Sequence, residues 1–407
     1  MSEFPVGKIR EDFPVLSREV YGKPLIYFDN GATTQKPVQV IEVINQFHRE
    51  HNASIHRSVN FLSDTITASY EEARVTTQRF LNATKPSEII FTSGATASIN
   101  LVAFSFGETY IHPGDEVILS TLEHHSNIVP WQMMCERKGA SIKVIPISDQ
   151  GELDLEAFAQ LFNKRTRIVA VTHVSNVLGT INPVEEIVKI SHSNGVPVLI
   201  DGAQAIQHGP VDVQKIDCDF YAFSGHKVYG PTGTGVLYGK EKWLETLPPW
   251  QGGGDMIDRV TFEKTTYNEL PLKFEAGTTN FIGIIGLAAA LEYLKSISIK
   301  EIESYEKHIV TYASNALQQI DGLKLFGPTG HKAPVFSFIL NQIHPYDTGV
   351  IIDKLGIAVR TGTHCAMPLM DRLGVDGTVR ASLCFYNTTE EIDRLVEALD
   401  VVNTMLS

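Results

Sequence analysis

Between about residues 85 and 240 the chain repeats one pattern, a short run that is apolar at nearly every position followed by a stretch with helical spacing. The runs are Glu88-Ile89-Ile90-Phe91, Val117-Ile118-Leu119, Ile168-Val169-Ala170-Val171, Val196-Pro197-Val198-Leu199-Ile200 and Phe220-Tyr221-Ala222-Phe223. A strand apolar on both faces must be covered on both, which a half-solvated antiparallel sheet does not achieve. Alternation with helices therefore predicts an α/β fold built on a large, mainly parallel sheet. Ile187, Ile190 and Ser191 behind Pro183 mark one of the helices, and Val40, Ile44 and Phe47 predict an N-terminal helix from near Pro37.

At 407 residues the chain exceeds what one hydrophobic core serves. After Gly252-Gly253-Gly254 an irregular stretch is expected, then a long helix over about 283–294. Beyond it the order becomes a helix over 301–320, a strand at Pro334-Val335-Phe336-Ser337-Phe338-Ile339, a helix, a strand at Ala358-Val359-Arg360, and an amphipathic helix from Thr389. The expectation is a large domain over 25–294 and a smaller α+β domain from 1–24 and 295–407, with the functional cleft between them.

Composition narrows the partners. A net charge of −13 without any Lys/Arg-rich block argues against nucleic acid and anionic membranes. Met1-Ser2-Glu3-Phe4-Pro5 lacks the regions of a signal peptide, and Glu11 and Asp12 disfavour a transit peptide. The apolar helical stretch around Ile284 to Leu291 is far short of the ~20 residues that span a bilayer. A cytoplasmic protein is expected. Cys135, Cys218, Cys365 and Cys384 are scattered, with no C-x-x-C pair and no zinc spacing, so neither disulfides nor a metal are expected.

Chemistry-bearing residues gather at the strand ends. Phe223-Ser224-Gly225-His226-Lys227 precedes the glycine-rich Gly230-Pro231-Thr232-Gly233-Thr234-Gly235. A lysine amine can form a Schiff base with an aldehyde cofactor, and an aspartate such as Asp201 can keep that cofactor's pyridine nitrogen protonated. Asp201 also suits a helix N-cap, and Gln204 either reaches a ligand or faces solvent on a first helical turn. Ser93-Gly94-Ala95-Thr96 opens a helix, where backbone N–H groups and a hydroxyl make an anion site that Ser224 and His226 could complete. Glu123-His124-His125-Ser126-Asn127 follows another strand, on the side where open α/β sheets bind ligands. There His124 either belongs to a solvated loop or stacks on a flat ring and relays protons, its charge changing near neutral pH. Asn176 is similarly placed.

In Arg360-Thr361-Gly362-Thr363-His364-Cys365-Ala366 a cysteine sits in a tight turn beside Arg360 and His364, cations of the kind that favour a thiolate. A single cysteine is otherwise an inert core residue, the role expected of the remaining cysteines. Arg380 is either a solvated strand-edge residue or a fork for a carboxylate.

These segments, together with His173-Val174-Ser175-Asn176-Val177-Leu178-Gly179-Thr180, Phe274-Glu275-Ala276-Gly277-Thr278 and Asp12-Phe13-Pro14-Val15-Leu16, resemble the SUF-type (group II) cysteine desulfurases over nearly the whole chain. That group lies among the class-V aminotransferases, pyridoxal 5'-phosphate (PLP) enzymes of the aspartate-aminotransferase fold (fold type I) that work as homodimers. The resemblance implies that Lys227 carries PLP and moves the substrate's α-proton, that Asp201 pairs with the ring nitrogen, that His124 stacks on the ring and that Gln204 binds the phenolic oxygen. Ala95, Thr96, Ser224 and His226 would hold the phosphate, with Thr278 from the partner subunit, and Asn176 would also face the cofactor. Arg380, with Asn176 and Arg360, would bind the carboxylate of L-cysteine. Cys365 would take the sulfur as a persulfide and release alanine, supplying iron-sulfur cluster assembly.

Gly31-Ala32-Thr33-Thr34 and Met367 depart from the family pattern at positions expected to be permissive. The cysteine segment has no long insertion of the group I kind, so a persulfide-accepting protein is expected to come to Cys365. The competing readings are a selenocysteine lyase on the same scaffold, another aminotransferase-type PLP enzyme in which Cys365 is structural, and a scaffold protein without activity.

Overall fold

The structure, a computed structural model, describes residues 4–56 and 58–406. Met1, Ser2 and Glu3, the start of the stretch read for a targeting signal, lie outside the described residues, as do Arg57 and Ser407.

Every apolar run becomes a strand of one seven-stranded sheet, ordered Ile89–Thr92, Gly235–Gly239, Phe220–Ser224, Val198–Asp201, Thr166–Thr172, Glu116–Ser120 and Ser141–Ile145. Gly235–Gly239 runs antiparallel to both neighbours and the other pairings are parallel. Successive side chains enter opposite faces. Val169, Val171, Ile200 and Phe223 join one apolar cluster, while Ile168, Ala170, Leu199 and Ala222 join the other. Two strands are not among the runs read from the sequence. Ser141–Ile145 is a largely exposed edge, and Gly235–Gly239 lies at the end of the glycine-rich segment behind Lys227.

The helices expected from spacing form at Val38–Glu50, Val184–Ser193, Phe281–Ile297 and Ile299–Gln318. A hairpin, Ile257–Val260 with Thr265–Tyr267, occupies the stretch expected to be irregular. Its side chains are mostly exposed, so no apolar pattern announced it.

The C-terminal part builds a four-stranded antiparallel sheet ordered Leu323–Phe326, Val335–Leu340, Thr378–Ser382 and Arg360–Gly362. Ile309, Leu317, Ile352, Leu395 and Leu399 cover it from the helices Ile299–Gln318, Pro345–Lys354 and Thr389–Leu406. At the N-terminal edge the packing departs from a division at residue 25. Ile26–Tyr27 pairs with Ile357–Ala358, and Ile26 and Phe28 sit in the small sheet's cluster, whereas Phe13 and Leu16 sit in the large sheet's. Apolar content alone cannot say which of two cores a segment joins.

Buried Glu275 ties the helix Phe61–Leu81 to the first strand of the large sheet. Its carboxylate accepts from Tyr70 Oη (2.8 Å), Arg74 Nη1 (2.7 Å) and Nη2 (2.9 Å), and the Phe91 N–H (2.7 Å). Removing one partner leaves a buried charge uncompensated. Glu275→Ala is expected to cost about 3–5 kcal/mol, read as a lower thermal midpoint, and Glu275→Gln should lower it less.

Candidate active site

The parallel strands deliver their C-terminal ends to one side of the sheet, where open α/β folds bind ligands. There, facing the small sheet, lies a cavity of about 270 Å³ lined by Ala95, Thr96, His124, Asn176, Asp201, Gln204, Ser224, His226, Lys227, Arg360, Cys365 and Arg380. Every site residue singled out from the sequence is among these except Thr278, which borders a separate surface pocket with Trp250 and Asn280. Gly31, Ser126, Thr172 and His364 also line the main cavity.

Burial governs the charges. Lys227 follows the strand Phe220–Ser224, and desolvation pushes its amine down to about 8 against the opposing pull of Asp201. Asp201 ends its own strand and is pushed up by burial, while the Ala203 N–H (3.0 Å) and Lys227 draw it back. No helix follows Asp201, so it caps a turn instead of the expected helix, and Gln204 is buried instead of facing solvent. Gln204 Nε2 donates to the Gly31 carbonyl (2.7 Å), and its Oε1 is buried without a partner.

His124 differs from expectation. Burial, with Lys227 and His125 nearby, lowers it to about 3, so it does not change charge near neutral pH. Its Nδ1 accepts the Ser126 N–H (3.0 Å), which leaves the proton of the neutral ring on Nε2. Glu123, to which no role was assigned from the sequence, anchors this loop. Fully buried, it accepts from Asn127 Nδ2 (2.6 Å), the Thr172 N–H (3.0 Å) and Ser120 Oγ, and burial raises it to about 8.

The anion end is the start of the helix Ala95–Tyr110. Gly94 has φ +154°, a conformation glycine adopts freely, and the Ala95 N–H donates to Ser224 Oγ (2.8 Å), whose own hydroxyl proton remains available. Thr96 Oγ1 is 2.8 Å from Ser126 Oγ. Burial and Lys227 lower His226 to about 4, making it a neutral donor.

Opposite, Arg380 is not a solvated edge residue. It lies on an inner strand of the small sheet, 2% exposed, donating from Nη1 to the Asn176 carbonyl (2.9 Å) and from Nη2 to Asp29 Oδ1 (3.1 Å). Its Nε is buried without a partner. Asp29, which sequence reasoning missed, also accepts from half-exposed Arg360 (3.1 Å). Gly31 sits close against the site, where a Cβ would stand 3.1 Å from Ser382 Oγ and 3.2 Å from the Arg380 guanidinium and would need those side chains to shift by a few tenths of an ångström.

Cys365 is exposed, whereas Cys135, Cys218 and Cys384 are buried. Its turn has left-handed φ at His364 (+53°) and Cys365 (+56°) and is held on several sides. The Cys365 carbonyl accepts the His125 N–H (2.8 Å), the His364 carbonyl accepts Asn176 Nδ2 (2.8 Å), and His364 Nε2 meets Thr378 Oγ1 (2.8 Å). Burial and Arg380 lower His364 to about 3, so it is neutral and not the cation expected beside the thiol.

These groups fit PLP. A desolvated amine and a buried carboxylate share the cavity, a glycine-shaped helix N-terminus offers an anion cradle, and Gln204 keeps a second N–H beyond the one given to Gly31.

Comparison with known proteins agrees. The family model described as Aminotransferase class-V matches residues 26–395. A cysteine desulfurase of Shigella sonnei is 51% identical over 404 residues, covering 99% of each chain. Among solved structures, the cysteine desulfurase CsdA of Escherichia coli is 40% identical with a TM-score of 0.93, covering 100% of both chains. A cysteine desulfurase from Thermococcus onnurineus NA1 is 38% identical with a TM-score of 0.94, again covering 100% of both.

The cradle depends on close backbone approach. A Cβ at Gly235 would lie 2.3 Å from Gly94 Cα. Gly235→Ala is expected to weaken PLP retention on the order of tenfold, measured by visible absorption after dialysis. Gly252→Ala, with nothing within 4 Å of its Cβ, should leave retention unchanged.

Proposed function

The chain belongs to the class-V aminotransferase family, and we infer that it is a PLP-dependent cysteine desulfurase, converting L-cysteine to L-alanine with a persulfide left on Cys365. The observation that carries this reading is the shared cavity. An exposed thiol on a pinned turn faces a desolvated lysine and a buried arginine.

PLP, when bound, supplies an electron sink for charge developing at the substrate's Cα. Lys227 is the attachment residue and the base, since an amine lowered to about 8 has a neutral fraction near pH 7 that can take the Cα proton. Asp201 would keep the proton on the ring nitrogen, Gln204 would donate to the phenolic oxygen, and neutral His124 would stack on the ring. Ala95, Thr96, Ser224 and His226 would hold the phosphate. Arg380 binds the substrate carboxylate with Asn176 and Arg360 beside it, a fork geometry that lysine does not reproduce.

Cys365, as thiolate, attacks the substrate sulfur. The new S–S bond forms as the Cβ–S bond breaks, the electron pair of the broken bond stays on carbon, and a proton completes alanine. Thiol plus L-cysteine thus becomes persulfide plus alanine, with atoms and electrons balanced. A lyase acting on selenocysteine needs no such thiol, so the exposed Cys365 favours the desulfurase.

Delivery follows from the same turn. With its carbonyls tied to His125 and Asn176, Cys365 is not built to swing outward. A protein or small thiol that comes to the persulfide is the acceptor of this reading, with iron-sulfur cluster assembly as the destination and the cytoplasm as the compartment. Among the described residues no single helix is long and apolar enough to cross a membrane. Thr278, away from the cavity of its own chain, is assigned to the partner's phosphate site in a homodimer.

Incubation with one equivalent of L-cysteine per site should give about one equivalent of alanine with the persulfide trapped on Cys365, and with excess L-cysteine an added acceptor should raise turnover. Cys365→Ala should abolish both products while retaining PLP absorption. A keto acid in place of alanine, or undiminished turnover of L-cysteine by Cys365→Ala, would overturn the reading.

A further inference from the structure

The loop that carries Asn176 crosses from the large sheet to the small one, and consecutive carbonyls along it are each held by a donor from the small-sheet side. The Asn176 carbonyl accepts from Arg380 Nη1 (2.9 Å) and the Val177 carbonyl from Ser337 Oγ (2.6 Å). The Leu178 carbonyl accepts from Lys332 Nζ, and the Gly179 carbonyl from the Ala333 N–H (2.8 Å). Register explains the match. Ser337 pairs with Arg380 across adjacent strands, so their side chains stand side by side and meet neighbouring carbonyls. Lys332 and Ser337 are both buried, and Lys332 Nζ also donates to the Gly327 carbonyl (3.1 Å). Gly179, at φ +75°, permits the contact, because a Cβ there would lie 2.8 Å from the Ala333 carbonyl oxygen. At the other end of the loop, Asn176 Nδ2 holds the His364 carbonyl next to Cys365 (2.8 Å).

We propose that Lys332 and Ser337 are positioning residues for substrate binding. By gripping the Leu178 and Val177 carbonyls they fix the loop against the small sheet, and through Asn176 they set the Arg380 guanidinium and the turn of Cys365. Neither residue lines the cavity. The inference rests on Arg380 binding the carboxylate of L-cysteine. A guanidinium displaced by a fraction of an ångström loses bidentate contact, so the effect falls on substrate affinity before chemistry.

The test uses PLP-loaded enzyme and steady-state alanine formation in the presence of dithiothreitol. Ser337→Ala and Lys332→Met are each expected to raise KM for L-cysteine about fivefold with kcat changed less than about twofold. PLP absorption should be unchanged, and Ser337→Thr, which keeps the hydroxyl, should restore KM. In an Arg380→Lys background, Ser337→Ala should raise KM no further, because the residue it positions has been replaced. An unchanged KM in Ser337→Ala, or the same increase with and without Arg380, would overturn the proposal even where Lys332→Met fails to fold. Absence of alanine from the unmodified enzyme would instead overturn the desulfurase reading.

Discussion

A guanidinium taken out of water must be paired and hydrogen-bonded, or its desolvation is not offset. Arg380, 2% exposed, is met by groups from two other parts of the chain, the Asp29 carboxylate and the Asn176 carbonyl, while its Nε stays buried without a partner. Arg360 stands directly opposite on the neighbouring strand, an arrangement of like charges that would be repulsive without Asp29 between them. One carboxylate therefore brings together the N-terminal segment and two strands of the small sheet, while the Asn176 carbonyl adds the loop of the large sheet. The cavity exists where those pieces meet.

Around that point burial shifts protonation in a consistent direction. Lys227 falls to about 8, His226 to about 4, and His124 and His364 to about 3, each through desolvation first. The imidazoles become neutral donors and acceptors, and the lysine becomes an amine that can be neutral near physiological pH. Cys365 sits exposed at the cavity mouth on a turn whose carbonyls are tied down, which suits a group that must receive an atom from inside and surrender it outside.

Much of this was legible beforehand. Apolar runs such as Ile168-Val169-Ala170-Val171 announced a sheet buried on both faces, and a strand's C-terminal end is where such sheets hold ligands, so Lys227, Asp201 and His124 could be picked out one by one. Ser141–Ile145 and the Ile257–Val260 hairpin were not legible, because mostly exposed strands carry no apolar pattern. Asp29, Glu123 and Gly31 were missed for a different reason. Asp29 meets Arg380 from 351 positions away, Gly31 packs beside that same arginine, and Glu123 owes its role to complete burial among Ser120, Asn127 and Thr172, and no local signal records any of these.

The sequence by itself determined the layer architecture, because periodicity is a local property of the chain, and the resemblance of its motifs to the cysteine desulfurases singled out the expected cofactor and Cys365. Only the tertiary structure decided which groups are charged and which core each segment joins. It put His124 and His364 in the neutral state, buried Arg380 on an inner strand instead of leaving it at a solvated edge, and placed the segment at residues 26–28 in the small sheet's core. Desolvation and charge pairing depend on what surrounds a side chain in three dimensions, and that is set only when distant segments close over it.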